Sequence, residues 1–129
     1  MFYQLKAVAA AFLLSLGVLP SFALAASDEV DPLAGHFATC LGRYSAEADY
    51  NRLMGRDVSR VAARAILFDE MLHAIADDAP VLEKSRNSAA GAHWALLHTA
   101  DRSFDARMAR HAALTSQRNI AMCEMLVLG

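Results

Sequence analysis

Asp31-Pro32-Leu33-Ala34-Gly35-His36-Phe37-Ala38-Thr39-Cys40-Leu41-Gly42-Arg43-Tyr44-Ser45-Ala46-Glu47-Ala48 is the stretch on which the fold turns. Asp31 is an N-cap residue, and Pro32 suits the first helical position, where its missing N–H costs nothing. From there Leu33, Phe37, Cys40, Leu41, Tyr44 and Ala48 recur at spacings of three and four, one apolar stripe of a helix that runs until Gly55. Three more such patterns follow toward the C-terminus. Asp57 opens a stripe of Val58, Val61, Ala65, Phe68, Leu72 and Ile75. Asp77 and Asp78 would oppose the dipole at the end of that helix, so they read better as caps for the next, which starts at Pro80 and carries Leu82, Ala89, His93, Leu96, Leu97 and Ala100. Asp101 to Asp105 reads as a turn. Phe104, Met108, Ala112, Thr115, Asn119, Met122 and Leu126 then line a fourth helix that ends near Leu128.

Alanine is abundant, β-branched residues are few and no run alternates with period two, so the chain reads as all-α. Links of a few residues force sequential helices to run antiparallel, which predicts an up-down-up-down four-helix bundle with the first and last helices adjacent. A three-helix arrangement stays open if the third pattern breaks around Arg86 to Ser88 or at Gly91.

Toward the N-terminus the composition changes. Of the 129 residues, the first 25 contain no acid, one base (Lys6) and about 19 apolar side chains. Ala7 to Leu19 is an apolar run, Pro20-Ser21 breaks it, and Ala23-Leu24-Ala25 offers an A-x-A cleavage site. That order predicts a secretory signal peptide over 1–25 and a single helical domain over 26–129, periplasmic or secreted. The alternative is a retained anchor, since Ala7 to Ser27 is about 21 uncharged residues, enough to span a bilayer. The whole chain carries a net charge of −2; without Lys6 the remainder has 11 basic against 14 acidic residues, or −3. Acids interleave with the bases, so neither nucleic acid nor, after cleavage, a membrane is an expected partner.

Export makes Cys40 and Cys123 a candidate disulfide, with two unpaired buried thiols as the alternative. In an antiparallel pair of helices both lie roughly 8 to 10 Å from the same end of the bundle, within reach of a bond.

The polar members of the stripes are the candidate site. His93 lies mid-stripe in the third helix, at the level of Tyr44, Thr115 and Asn119, so these four are expected to converge halfway up the core. They form either a network that sets helix register or the polar wall of a ligand cavity lined by Phe37, Phe68 and Trp94. A metal is not expected. Glu70-Met71-Leu72-His73 has the Glu-x-x-His form of di-iron bundles, but no second copy accompanies it and both side chains fall on the solvent side. His36 with Met122 or Met125 has the levels for axial haem ligands, yet methionines at helical spacing are usual core fillers. No nucleophile, phosphate-loop or dinucleotide motif occurs, so no cofactor and no catalytic residue are expected and an enzyme is disfavoured. Arg43, Arg52, Arg56, Arg60 and Arg64 cluster at the corner between the first two helices. They make either a solvated ion-paired surface or a face for a protein partner.

Cys40-Leu41-Gly42-Arg43-Tyr44-Ser45-Ala46, followed by an acid and Leu53, with a cysteine in the last turns before a terminal Leu-Gly, resembles a group of small exported bacterial helical proteins. The resemblance touches both ends of the stretch 26–129 and implies a helical, disulfide-closed domain without supplying an activity. Exported chaperones of the Spy/CpxP type carry L-T-x-x-Q signatures. Leu114-Thr115-Ser116-Gln117 is one residue too short and occurs once, so that function is not carried over. The sequence thus predicts an exported, non-enzymatic binding or interaction protein, with a small-ligand or metal-binding bundle centred on His93 as the alternative.

Overall fold

A computed structural model describes residues 30–129; the signal peptide expected over 1–25 lies outside the described residues. Four α-helices make up the described chain: α1 (Pro32–Leu53), α2 (Ser59–Ile75), α3 (Pro80–Arg102) and α4 (Ala106–Leu128). The Asp31 carboxylate accepts from Leu33 N–H at 2.8 Å, capping α1 ahead of its N-terminal proline. Gly55 stops α1 in the left-handed region at φ 67°, and the Arg56 N–H returns to Asn51 O at 2.8 Å, the six-to-one bond of a Schellman stop. Asp105 caps α4 with bonds from Arg107 and Met108 N–H. α3 passes unbroken through Arg86–Ser88 and Gly91, which removes the three-helix alternative.

α1 is buried on more than one side and, among the described helices, is the one whose backbone comes close to all three others. Phe37, Cys40, Leu41 and Tyr44 join Phe68 of α2 and Cys123 of α4 in the main core, with Phe68 stacked on Tyr44 at 5.6 Å and meeting Phe37 edge-on at 6.0 Å. A second ridge of α1, Ala34, Ala38, Gly42 and Ala46, is made of small buried residues spaced by four. Ala34 and Ala38 pack with Leu82 of α3, and a Cβ added to Gly42 would lie 2.2 Å from Arg86 O and 3.1 Å from Ala90 N. α3 therefore lies backbone against backbone on α1, the most extensive helix–helix contact among the described residues. Contacts rise together along these two helices, from Ala38 with Leu82 through Gly42 with Arg86 to Tyr50 with Asp101. Against α4 they descend, Cys40 meeting Cys123 and Arg43 meeting Asn119.

The α1–α3 pair makes the most extensive helix interface among the described residues, because the small ridge lets these two backbones approach. One expectation needs correction: α4 is rotated from its expected stripe. Phe104, Met108, Met122 and Leu126 are exposed, whereas Ala112, Ser116 and Cys123 are buried. At 100° per residue, turning Cys123 inward toward Cys40 carries Met122 a quarter-turn outward.

Cys40 and Cys123 lie at disulfide distance, Cα to Cα 5.6 Å, and close a loop with a sequence separation of 83. A loop of that length restricts the unfolded chain by about 4 kcal/mol in the chain-entropy account. Replacing both cysteines by serine is expected to lower the unfolding free energy by about that amount and the Tm by roughly 15 °C, read by thermal and urea denaturation.

Candidate functional site

Three carboxylates tie the polar side chains of α1 to its neighbours. Tyr44, 2% exposed, donates its hydroxyl to Glu124 of α4 at 2.5 Å, and Arg64 of α2 grips the same carboxylate at 3.1 and 2.9 Å. This triad ties α1, α2 and α4 together beside the disulfide. Burial, then the Glu124 hydrogen bond, push the Tyr44 phenol well above its usual range. One helical turn away, His93 of α3 meets Glu47 at 3.0 Å through Nε2. Tyr50 donates to Asp101 at 3.0 Å, which Arg56 also contacts at 2.9 Å, and its ring meets Trp94 edge-on at 5.1 Å. Burial and the Asp101 bond raise the Tyr50 phenol as well. Arg43 donates to Asn119 O at 3.3 Å and approaches Cys123 Sγ at 3.8 Å; its burial lowers the guanidinium pKa.

The four residues expected to converge do not share a centre. Tyr44 turns to Glu124, and His93 to Glu47. Thr115 bonds back to His111 O in its own helix at 2.8 Å, while Asn119 contributes its main-chain oxygen to Arg43. Phe37 and Phe68 fill the core around Tyr44, and Trp94 covers Tyr50, so the expected apolar lining is divided between two places. His93 keeps one feature of a site: its Nδ1 is the single buried side-chain polar atom without a hydrogen-bond partner among the described residues. With Nε2–H given to Glu47, a neutral ring leaves an unfilled lone pair there, whereas an imidazolium would bury an unpaired N–H.

The concavities among the described residues include the following three. One of about 250 Å³ has Glu47, Ser116, Gln117, Ile120 and Ala121 in its wall. A second, about 420 Å³, is an apolar groove between α3 and α4 over Leu96, Met108 and Ala112, with Arg107 and His111 at its rim. The third, also about 420 Å³, lies at the α2–α3 corner among Asp69, His73, Asp78 and Arg86. There His73 Nδ1 donates to Asp69 O at 2.8 Å, and that bond, with the Asp69 charge, raises its pKa. No group of three or more His, Cys, Asp or Glu side chains is placed to hold a metal among the described residues.

Most of the arginines singled out at the α1–α2 corner are spent on internal partners. Arg43 binds Asn119, Arg52 pairs with Asp49, Arg56 with Asp101 and Arg64 with Glu124. The acids around α4 are engaged likewise: Asp101 and Glu124 in the clusters above, Asp105 in the cap. Between Ala106 and Cys123 the chain holds Arg107, Arg110 and Arg118 and no acid, which corrects the expectation that acids interleave with bases throughout. Among the described residues none of these three guanidinium groups has a carboxylate partner. Sequence reasoning missed this face because it took Met108 and Met122 as core and so placed the inner side of α4 a quarter-turn away.

A stability comparison separates clamp from orphan. Tyr44→Phe should cost about 1.5–3 kcal/mol, since it removes a buried hydrogen bond to a charged acceptor. His93→Leu should stay within about 1 kcal/mol of wild type, because it deletes an unsatisfied atom while Glu47, 22% exposed, keeps its water. Urea denaturation of the two variants checks both. Comparison with protein families, with curated proteins and with solved structures finds no match for this chain.

Proposed function

We propose that this is an exported, non-enzymatic interaction protein: an up-down-up-down bundle, released by cleavage after Ala25, that presents the outer side of α4 to a partner in the periplasm or outside the cell. Pairing of Cys40 with Cys123 is in keeping with an oxidising compartment, and no described helix is long and apolar enough to cross a membrane. The observation that carries the proposal is the contrast between the two groups of arginines. Near α1 and α2, Arg43, Arg56 and Arg64 hold helices together, while Arg52 pairs with Asp49 within α1. Those on α4 are unpaired and share their surface with exposed Leu114, Met122, Met125 and Leu128. Arginine beside large apolar side chains is the composition of binding surfaces rather than of solvated ones.

The second reading, a ligand site around His93, has the orphaned Nδ1 in its favour and the scatter of Tyr44, Thr115 and Asn119 against it.

Gel filtration of a detergent-free periplasmic and envelope extract from cells expressing the protein tests the interaction reading. The wild-type chain should elute in a larger assembly, and Arg110→Glu with Arg118→Glu should elute at the position of the free domain with an unchanged Tm. Free elution of both would refute a partner on α4; retention of both would move the partner to another face.

A further inference from the structure

Resting on the reading of α4 as the interaction face, we infer that its partner is an anionic phospholipid surface, on which α4 lies flat with its apolar side chains at the headgroup boundary. At 100° per residue, Arg107, Arg110, Leu114, Arg118, Met125 and Leu128 fall within an arc of about 80° on the side opposite Ala112, Ser116 and Cys123. That line runs about 32 Å along the helix. Three guanidinium groups and Leu114 occupy it as far as its midpoint at Arg118, and Met125 and Leu128 its C-terminal end, on a single convex rod.

A protein partner would have to supply matched acids and pockets at each turn. A lipid surface offers both everywhere, since arginine stems lie along the apolar layer while their charged heads reach the phosphates. Phe104 points the same way. It sits in the turn between α3 and α4, fully in water, with Arg102 and Arg107 close in sequence. An aromatic ring at that place is suited to the membrane interface, where amphipathic and aromatic groups collect. At the other end of α4, Met125 and Leu128 supply a second apolar anchor, so the arginines are bracketed by insertable side chains. The apolar groove over Leu96 and Met108 opens beside Arg107, at the edge of this face.

A second copy of the chain fits poorly. Two such faces packed antiparallel would set Arg107 and Arg110 against Leu128 and Met125 and Arg118 beside its own copy, leaving every guanidinium group without an acid, because the acids nearest to them, Asp101, Asp105 and Glu124, are bound to Tyr50 and Arg56, to the α4 cap, and to Tyr44 and Arg64. The charge is also local. The domain as a whole is acidic, but the exposed acids Asp77, Asp78 and Glu83 lie at the α2–α3 corner, and the exposed Asp101 and Asp105 beside Phe104 are taken up by Tyr50 and Arg56 and by the α4 cap.

Vesicle co-flotation of the purified protein tests this, with phosphatidylglycerol mixed into phosphatidylcholine against phosphatidylcholine alone. Binding is expected to the anionic vesicles only, falling as salt is raised. Arg110→Gln with Arg118→Gln should weaken it roughly tenfold to thirtyfold, at about 1 kcal/mol per basic residue near the surface. Phe104→Ser with Met125→Ser should weaken it further, and both variants should melt with wild type because these side chains touch little else. Equal binding to both vesicle types, binding to neither, or indifference to the arginine substitutions overturns the inference. Absence of vesicle binding alongside an α4-dependent assembly in the extract would leave the interaction reading standing with a protein partner. Absence of both would remove that reading as well.

Discussion

The close approach of α3 to α1 at Gly42 is the constraint on which the rest of the molecule depends. No side chain other than hydrogen fits between the Gly42 Cα and the carbonyl of Arg86, so two backbones touch where helices ordinarily keep their side chains between them. The small ridge Ala34-Ala38-Gly42-Ala46 leaves room for that approach, and the larger side chains of α1 are thereby left to face α2 and α4. Phe37, Cys40, Leu41 and Tyr44 then form one core with Phe68 and Cys123. With α1 occupied on both sides, it acts as a central post for the other three helices.

A post buried on several sides must place its polar groups with care, since an unpaired buried polar group costs about 1–3 kcal/mol. Tyr44 and Tyr50 meet that need with carboxylates from α4 and α3, and Glu47 takes His93. Each carboxylate is shared with an arginine or lies partly in water. One consequence reaches the surface. Acids committed inward are not available to neutralise the bases outside, so the outer side of α4 is left cationic on a domain whose net charge is negative. Internal cohesion and surface chemistry are therefore linked through Asp101, Asp105 and Glu124.

Much of the scaffold was legible in the residues. Asp31-Pro32, Gly55, Pro80 and Asp105 are local signals whose hydrogen-bonding role is fixed within a few residues, and all mark helix ends in the structure. The cysteines could be matched by height alone, because rise per residue is constant. Rotation and pairing were harder to read. Alanine and glycine contribute little to an apolar stripe, so the ridge that selects α3 as the partner of α1 is nearly silent in hydropathy. Met108 and Met122 score as core although the disulfide turns them outward. His93, Tyr44, Thr115 and Asn119 could be placed at one level, but level does not specify direction, and long partners such as Glu124 and Glu47 drew two of them apart.

Urea unfolding of three glycine-to-alanine variants tests the central contact most directly. Gly35 and Gly91 are helical and have open space where a Cβ would go, whereas Gly42 has the Arg86 carbonyl. Gly35→Ala and Gly91→Ala should each raise stability by about 0.5–1 kcal/mol, the ordinary helical gain. Gly42→Ala should lower it by about 1–3 kcal/mol, because backbone rather than a movable side chain must yield. A gain at Gly42 equal to the gain at the other two positions would contradict the account, since α1 and α3 would then have room that a backbone contact does not allow.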